Sequence, residues 1–299
     1  MKIKTIERVV KAKLQAWLDS IEDSKLRADV KCNVVLSGGS ITSLLLQEPV
    51  NDFDVYIKDI DVLERLALYY VNRIEVLNGN RKEQYIKEKS KHSGFEADDD
   101  LSQLMVMFKS LHPGQIKLAI GGAGIEASKD DDKPFHPVFY SQNAISLSDQ
   151  IQIVLRFSGT VEEIHKSFDF IHATNYFTFD EGLVTNVKAL ECILTKELKY
   201  QGSLYPLTSI IRMKKFIGRK WTMNAGEVLK ILFQVSELDL KDPVVLEEQL
   251  IGVDIAYFSQ LIEILRGVDP KLINAQYLGK MIDKVFNNFD GDEEEMIQK

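Results

Sequence analysis

Apolar residues recur along the first stretch of the chain at Ile3, Ile6, Val9, Val10, Leu14, Trp17 and Ile21. That spacing predicts an amphipathic helix over about 3–22. A β-branched run, Lys31 to Leu36, predicts a short strand, and after the Ser-Gly-Gly-Ser turn the segment Ile41 to Gln47 predicts a short helix. Asn51 to Lys58 alternates apolar and polar positions and predicts a second strand. Helical spacing resumes over 61–79, and the polar, charged stretch 80–100 predicts a loop. Short strands are predicted near 103–109, 115–120, 151–157 and 167–177, with turn formers filling 121–137. From about 182 onward six segments carry helical periodicity: 182–200, 206–220, 224–235, 244–250, 254–266 and 270–289. No internal repeat is present. The expected fold is therefore α+β: a mixed sheet with flanking helices over 1–180, then an all-helical domain over 181–299 ending in the acidic tail Asp290 to Glu295.

Composition narrows the function classes. With 299 residues and 45% hydrophobic content the chain is long enough to bury a core without disulfides. Its two cysteines, Cys32 and Cys192, form no metal or redox spacing, which suits a reducing cytosol. No apolar run approaches the roughly 20 residues of a membrane span, and the charged N-terminal segment does not read as a secretory signal. The formal net charge of −8 argues against a protein that coats nucleic acid non-specifically.

The stretch that carries chemistry runs from Leu36-Ser37-Gly38-Gly39-Ser40-Ile41 to Asp52-Phe53-Asp54-Val55-Tyr56. Glycines between a strand and a helix let backbone N–H groups approach a phosphate closely. Ser40 is expected at the helix N-cap, its hydroxyl turned to the same anion. On the following strand Asp52 and Asp54 share one face, while Phe53, Val55 and Ile57 face the core. Neighbouring carboxylates repel and favour a cation, and Mg2+ shares oxygen ligands with substrate phosphates. A glycine turn beside paired strand carboxylates is thus suited to nucleoside triphosphate chemistry.

These residues resemble the head motif of the DNA polymerase β-like nucleotidyltransferase superfamily, a Gly-Gly/Ser turn followed by Asp-x-Asp. They are most similar to the head of bacterial tRNA nucleotidyltransferases and poly(A) polymerases, GGxVRDxLLGxxPxDxD. Gly38, Gly39, Ile41, Leu45, Leu46, Asp52 and Asp54 fit it without a gap. Thr42, Ser43 and Gln47 stand where that branch has Arg, Asp and Gly, and Pro49 falls one place early. The resemblance covers about 20 residues; elsewhere Pro206-Leu207 through Arg212, Lys215 and Phe216 loosely follows the PLRxLRxxRF helix of the same enzymes.

The resemblance implies transfer of a nucleoside monophosphate from a nucleoside triphosphate to an acceptor hydroxyl, with two Mg2+ ions, or Mn2+, held by Asp52, Asp54 and a third carboxylate. Asp169, a lone acid between aromatics in an expected strand, is the candidate third ligand and proton acceptor; Asp149 and Asp180 stand behind it. Gly38, Gly39 and Ser40 would bind the triphosphate. Arg212, Lys215 and Arg219, on one helix face by their i, i+3, i+7 spacing, would hold phosphates, flanked by Tyr205 and Trp221 as stacking platforms. The acceptor the head motif suggests is an RNA 3′ end, such as tRNA. Synthesis of a nucleotide second messenger, nucleotidylation of a protein or small molecule, and a non-catalytic nucleotide-binding module are the alternatives.

Plainer readings stand beside these. A Gly-Gly-Ser turn alone is usually a turn, a DxD pair alone a solvated strand face, and the 212–220 basic run a solvated helix face. His172 falls on the strand face opposite Asp169 and reads as structural; His92, His112, His136 and His165 share no ligand spacing. Gly122 to Ala127 matches GxGxxA, but the polar run after it is not the helix a dinucleotide site needs. P-loop, zincin and serine-hydrolase motifs are missing from the sequence.

Overall fold

The computed structural model describes residues 2–71, 107–109, 116–118, 125–126, 133–141 and 143–240, together with 242, 245, 246, 249, 276, 277, 279 and 280. The loop expected at 80–100 and the helix expected at 254–266 lie outside the described residues, as does most of 270–289.

Helix α1 spans Ile3–Ser20 and buries Ile6, Val10, Leu14, Trp17 and Leu18, as the periodicity predicts. The strand expected from Lys31 does not begin there. Asp23 caps a second helix, α2 (Ser24–Asn33), by accepting from the backbone N–H groups of Lys25 and Leu26. Leu26 and Val30, four apart, are that helix's buried face. Strand β1 is therefore only Val34–Ser37, followed by α3 (Gly39–Leu46), β2 (Phe53–Ile57) and α4 (Ile60–Val71). Beyond come β3 (Met107–Lys109), β4 (Ile116–Leu118), β5 (Ile125–Glu126), β6 (Pro137–Tyr140), β7 (Ala144–Leu147) and β8 (Ile151–Val154). Helix α5 (Val161–Lys166) opens on a capping box of Thr160 and Glu163.

The strand expected over 167–177 is broken. Its middle is a 3-10 turn at Ile171–Ala173, and only β9 (Tyr176–Thr178) is extended. The helix expected from Gly182 starts later: β10 (Gly182–Val184) completes a hairpin with β9, and α6 (Val187–Thr195) begins where Asn186 caps it through the N–H of Lys188. Then come β11 (Glu197–Leu198), α7 (Pro206–Gly218), β12 (Thr222–Met223) and α8 (Ala225–Ser236), with β11 and β12 forming a small parallel pair. The C-terminal part is thus not wholly helical.

The main sheet has eight strands in the order β10-β9-β1-β2-β8-β7-β6-β5. Every pairing is antiparallel except β2 with β8. One face carries Val34, Leu36, Phe53, Val55 and Ile57 against α1 and α4, and Trp17 donates from Nε1 to the hydroxyl of Tyr70 at 2.9 Å. The other face carries Val35 and Tyr56 against Val161, Ile164 and Phe168. Asp52 and Asp54 share the parity of Tyr56, so they rise from this second, thinly covered face. No helix among the described residues is long and apolar enough to cross a membrane.

Candidate functional site

The glycine turn and the carboxylates meet. Strand β1 pairs with β2 in the register Leu36↔Val55, which brings Ser37 beside Asp54 at the end of the ladder. The next residue, Gly38, has φ 99° and ψ −152°, a conformation that favours glycine. A β-carbon on it would stand 3.4 Å from Oδ2 of Asp54. Turn backbone and carboxylate are therefore direct neighbours, and Gly38 is the N-cap of α3. Ser40, expected at that cap, lies in the first turn instead, buried, with its hydroxyl making no hydrogen bond among the described residues. The reason is that the chain turns at Gly38, two residues before the position a side-chain cap would use.

Residues 172–175 staple this turn in place. The Gly38 N–H donates to the Ala173 carbonyl at 3.1 Å, and Thr42 Oγ1 donates to the His172 carbonyl at 3.0 Å. Ser37 Oγ lies 2.9 Å from both the Asn175 carbonyl and Nε2 of His165. The hydroxyl has one proton; given to Asn175, it leaves Ser37 accepting from a protonated Nε2 of His165. Burial pushes the His165 pKa down to about 4, so the ring is neutral at physiological pH.

Asp52 is exposed and Asp54 half-buried. Burial, reinforced by the negative charge of Asp52, pushes the Asp54 carboxyl up to about 7, while Arg212 acts in the opposite direction. The hydroxyl of Tyr56, two residues along the same face, is raised above its ordinary value by burial and then by Asp54, with Asp169 adding and Arg212 opposing. Asp54, Asp169 and Arg212 thus act on one another's surroundings although 54 and 212 are far apart in the chain.

Asp169 does not lie in a strand. It precedes the 3-10 turn, buried, with Phe170 bridged to Tyr200. Its Oδ1 accepts from Ser203 Oγ at 2.7 Å, and its Oδ2 is ion-paired with Nη1 of Arg212. Among the described residues no group of three or more His, Cys, Asp or Glu is arranged to hold a metal ion. Asp149, in the turn before β8, accepts from the Phe135 N–H at 3.2 Å.

The basic helix face divides. Arg212 turns to Asp169. Arg219, just past the end of α7, pairs with Glu48, which Lys196 also reaches at 3.4 Å. Lys215 is exposed on the helix between them. Trp221, expected as a stacking platform, is instead in the core, its ring 4.7 Å from His172 and 5.2 Å from Phe216. The chain bends back after Arg219, through Lys220 with φ 65°, and carries the indole inward. Tyr205 is half-buried, and the guanidinium of Arg156 lies 3.8 Å over its ring. Arg156 was not apparent from spacing; its signal is a single cation two residues past the end of the IQIV strand, with the strand parity of Gln152, the register partner of Asp54.

His172 is structural, as its sequence position suggested. It is 1% exposed, its Nδ1 makes no hydrogen bond among the described residues, and burial, with the charge of Arg219 adding, lowers its pKa to about 3. The folded value lies below the unfolded one, so the stability tied to the neutral ring is complete above about 6.5 and is lost as pH falls toward 3. His172→Phe is expected to flatten the acid limb of the stability curve and to raise stability by about 1 kcal/mol at pH 5, because it removes a buried polar atom that has no partner among the described residues. Urea midpoints at pH 7 and 4.5 test this; equal losses on acidification in both proteins would refute it.

Comparison with known proteins gives two kinds of match. The model of the family described as "Gabija anti-defense 2 family protein" matches residues 8–196. Among solved structures, the chain is similar to the Thermotoga maritima CCA-adding enzyme complexed with tRNA, at 14% identity and TM-score 0.38, covering 94% of this chain and 61% of that one. It is also similar to the Bacillus stearothermophilus CCA-adding enzyme in complex with CTP, at 12% identity and TM-score 0.34, covering 77% and 47%. A tRNA-processing enzyme in an apo form matches at 13% identity and TM-score 0.39, covering 94% and 66%. The chain thus spans less than two thirds of the length of each of these three. No curated protein matches the chain.

Proposed function

This chain belongs to the Gabija anti-defense 2 family, and we propose that it has a nucleotidyltransferase-type fold, binds a nucleoside triphosphate with Mg2+ and transfers the nucleoside monophosphate to an acceptor hydroxyl. The observation that carries the reading is the pair Asp52 and Asp54 beside the Gly38 turn, with Asp54 pushed up to about 7. Such a pair fits a divalent cation: each carboxylate makes the other's charge costly, and a positive ion relieves both.

Asp52 and Asp54 would hold the ion, which when bound neutralises phosphate charge and lowers the barrier to displacement at phosphorus. The N–H groups of the first turn of α3, from Gly39 on, would cradle the triphosphate where Gly38 lets the backbone approach, and Arg212 would supply a guanidinium to it. In the reaction the acceptor oxygen bonds to the α-phosphorus, the bond to pyrophosphate breaks, and the hydroxyl proton leaves to water at the exposed Asp52 end. Asp169 is read here as the anchor of Arg212, since its Oδ1 accepts from Ser203 and its Oδ2 pairs with that guanidinium. The chain divides functionally into a catalytic part up to about 180 and a C-terminal part that brings Arg212 to it. Lys215 and Arg219 belong to the surface beside the site.

A second reading is a nucleotide-binding module without transfer, and it is favoured by the lack of a third free carboxylate beside the pair among the described residues. Each labelled nucleoside triphosphate, incubated with the protein and Mg2+ with and without total tRNA, separates the readings. A labelled RNA indicates an RNA 3′ end as acceptor. A small labelled product without RNA indicates a messenger or small-molecule product, and a labelled protein band indicates protein nucleotidylation. Binding with no product supports the module, and no binding at all rejects the proposal.

A further inference from the structure

We propose that this site takes a single divalent ion, and that Gln152, a neutral amide beside Asp54 on the neighbouring strand, is the residue that sets this number. The proposal rests on the ion-binding reading given above and deepens it.

Strand register lays one row of side chains across the face from which Asp54 rises. Ser37 of β1 pairs with Tyr176 of β9 and lies beside Asp54. Asp54 pairs with Gln152 of β8, and Gln152 pairs with Ser146 of β7. Paired residues put their side chains on the same face, from strands about 4.8 Å apart. The row therefore reads Tyr, Ser, Asp, Gln, Ser, with Asp54 its one carboxylate. The next row, through Val35, Tyr56, Val154 and Ala144, carries none. On the other side, before β2 and β8, Asp52 stands near Gln150, which has a φ of 62° and donates its amide to the Val50 carbonyl at 3.0 Å.

Two positions thus adjoin Asp54 across the sheet. Ser37 is fully buried, and its hydroxyl is held between the Asn175 carbonyl and His165. Gln152 is half-buried and so reaches the open side of the face. Position 152 is the place on this sheet from which a third carboxylate would join the pair.

Charge decides how many ions the face holds. Asp52 and Asp54, both ionised, balance one divalent ion. A second hard cation needs more oxygen ligands and more negative charge. The charge of Asp169 is already balanced by Arg212, and the positive charge of Arg212 acts on Asp54 as well. Gln152 offers an amide oxygen without charge. The fold therefore supplies ligands for the ion shared with the phosphates and holds no second one for the acceptor hydroxyl.

The test counts protein-bound Mn2+, used as the probe ion, by EPR titration of the full chain, alone and with one equivalent of sodium tripolyphosphate. The wild type is expected to bind one magnetically isolated Mn2+ in both conditions. Gln152→Glu is expected to bind two, about 3.5–4 Å apart, with the spin coupling of such a pair. Gln152→Asp is the second acidic variant should the longer side chain disturb the sheet. Gln152→Leu is expected to bind one ion within about threefold of the wild-type affinity, because the neutrality of the side chain, not ligation by it, sets the count. A melting curve verifies that each variant is folded; the wild-type count tests the proposal by itself. Two ions in the wild type, one ion in both folded acidic variants, or loss of the ion in folded Gln152→Leu overturns the inference and leaves the proposed function standing. Absence of bound Mn2+ from the wild type in both conditions rejects the ion site itself, and the proposed function falls together with the inference.

Discussion

Replacing Asp54 by Asn is expected to abolish nucleotidyl transfer and, in the same protein, to raise metal-free stability at pH 8. Both effects come from one fact: the fold holds this carboxyl at a pKa of about 7, first through burial and then through the charge of Asp52. An aspartate whose folded pKa exceeds its unfolded one binds more protons folded than unfolded between about 4 and 7. Stability therefore falls as pH rises through that window. Above it the site carries the full cost of the charge, on the order of 1–2 kcal/mol once its partial exposure is allowed for. The amide removes that cost, so the melting temperature at pH 8 in EDTA should rise by about 3–6 °C. Mg2+ should stabilise the wild type and leave Asp54→Asn unmoved. A lost ion ligand removes several kcal/mol of charge stabilisation at phosphorus, or about a thousandfold in rate. Calorimetry at pH 5 and pH 8, with and without Mg2+, reads the stability half without any assay of activity. Equal stabilisation of wild type and variant by Mg2+ would remove Asp54 from the ion site.

The parts of this site that are close in sequence were legible before any coordinates. Gly38, Asp52 and Asp54 fall within seventeen residues, and strand parity alone places the two acids on one face. Helix α2 was not legible, because Lys31-Cys32-Asn33 reads as the lead-in to a β-branched run; the deciding signal, Asp23 capping Lys25 and Leu26, sits eight residues upstream. Asp169 was read as a metal-holding acid on a strand; it lies before a 3-10 turn, its partners are 34 and 43 residues away, and no local pattern points to Ser203 or Arg212 as those partners. The same holds for Arg219, whose partner Glu48 is 171 residues distant. Helical spacing grouped Arg212 with Lys215 and Arg219. Tertiary contacts then separated them, because each arginine goes to the carboxylate its end of α7 meets.

The ion pair between Asp169 and Arg212 should respond unequally to loss of its two halves. Asp169 has a side chain 3% exposed, whereas that of Arg212 is 42% exposed. Arg212→Ala leaves a carboxylate in the interior with the Ser203 hydroxyl as its one side-chain partner among the described residues, and a buried charge stripped of its ion pair costs about 3 kcal/mol. Asp169→Asn keeps an acceptor for Ser203 and leaves an arginine whose side chain is already 42% exposed, so it should cost about 1–2 kcal/mol. Combining the two should not add the losses. The neutral amide removes the charge that Arg212→Ala exposed, and the double variant should lie close to Asp169→Asn alone. Arg212→Lys, which preserves the charge but not the fork, should keep most of the stability and lose much of the triphosphate affinity. Urea unfolding of the four proteins settles the energetic part. Equal single losses that sum in the double variant would mean that the pair is not a buried-charge contact, and Arg212 would then have to be held at the site by something other than Asp169.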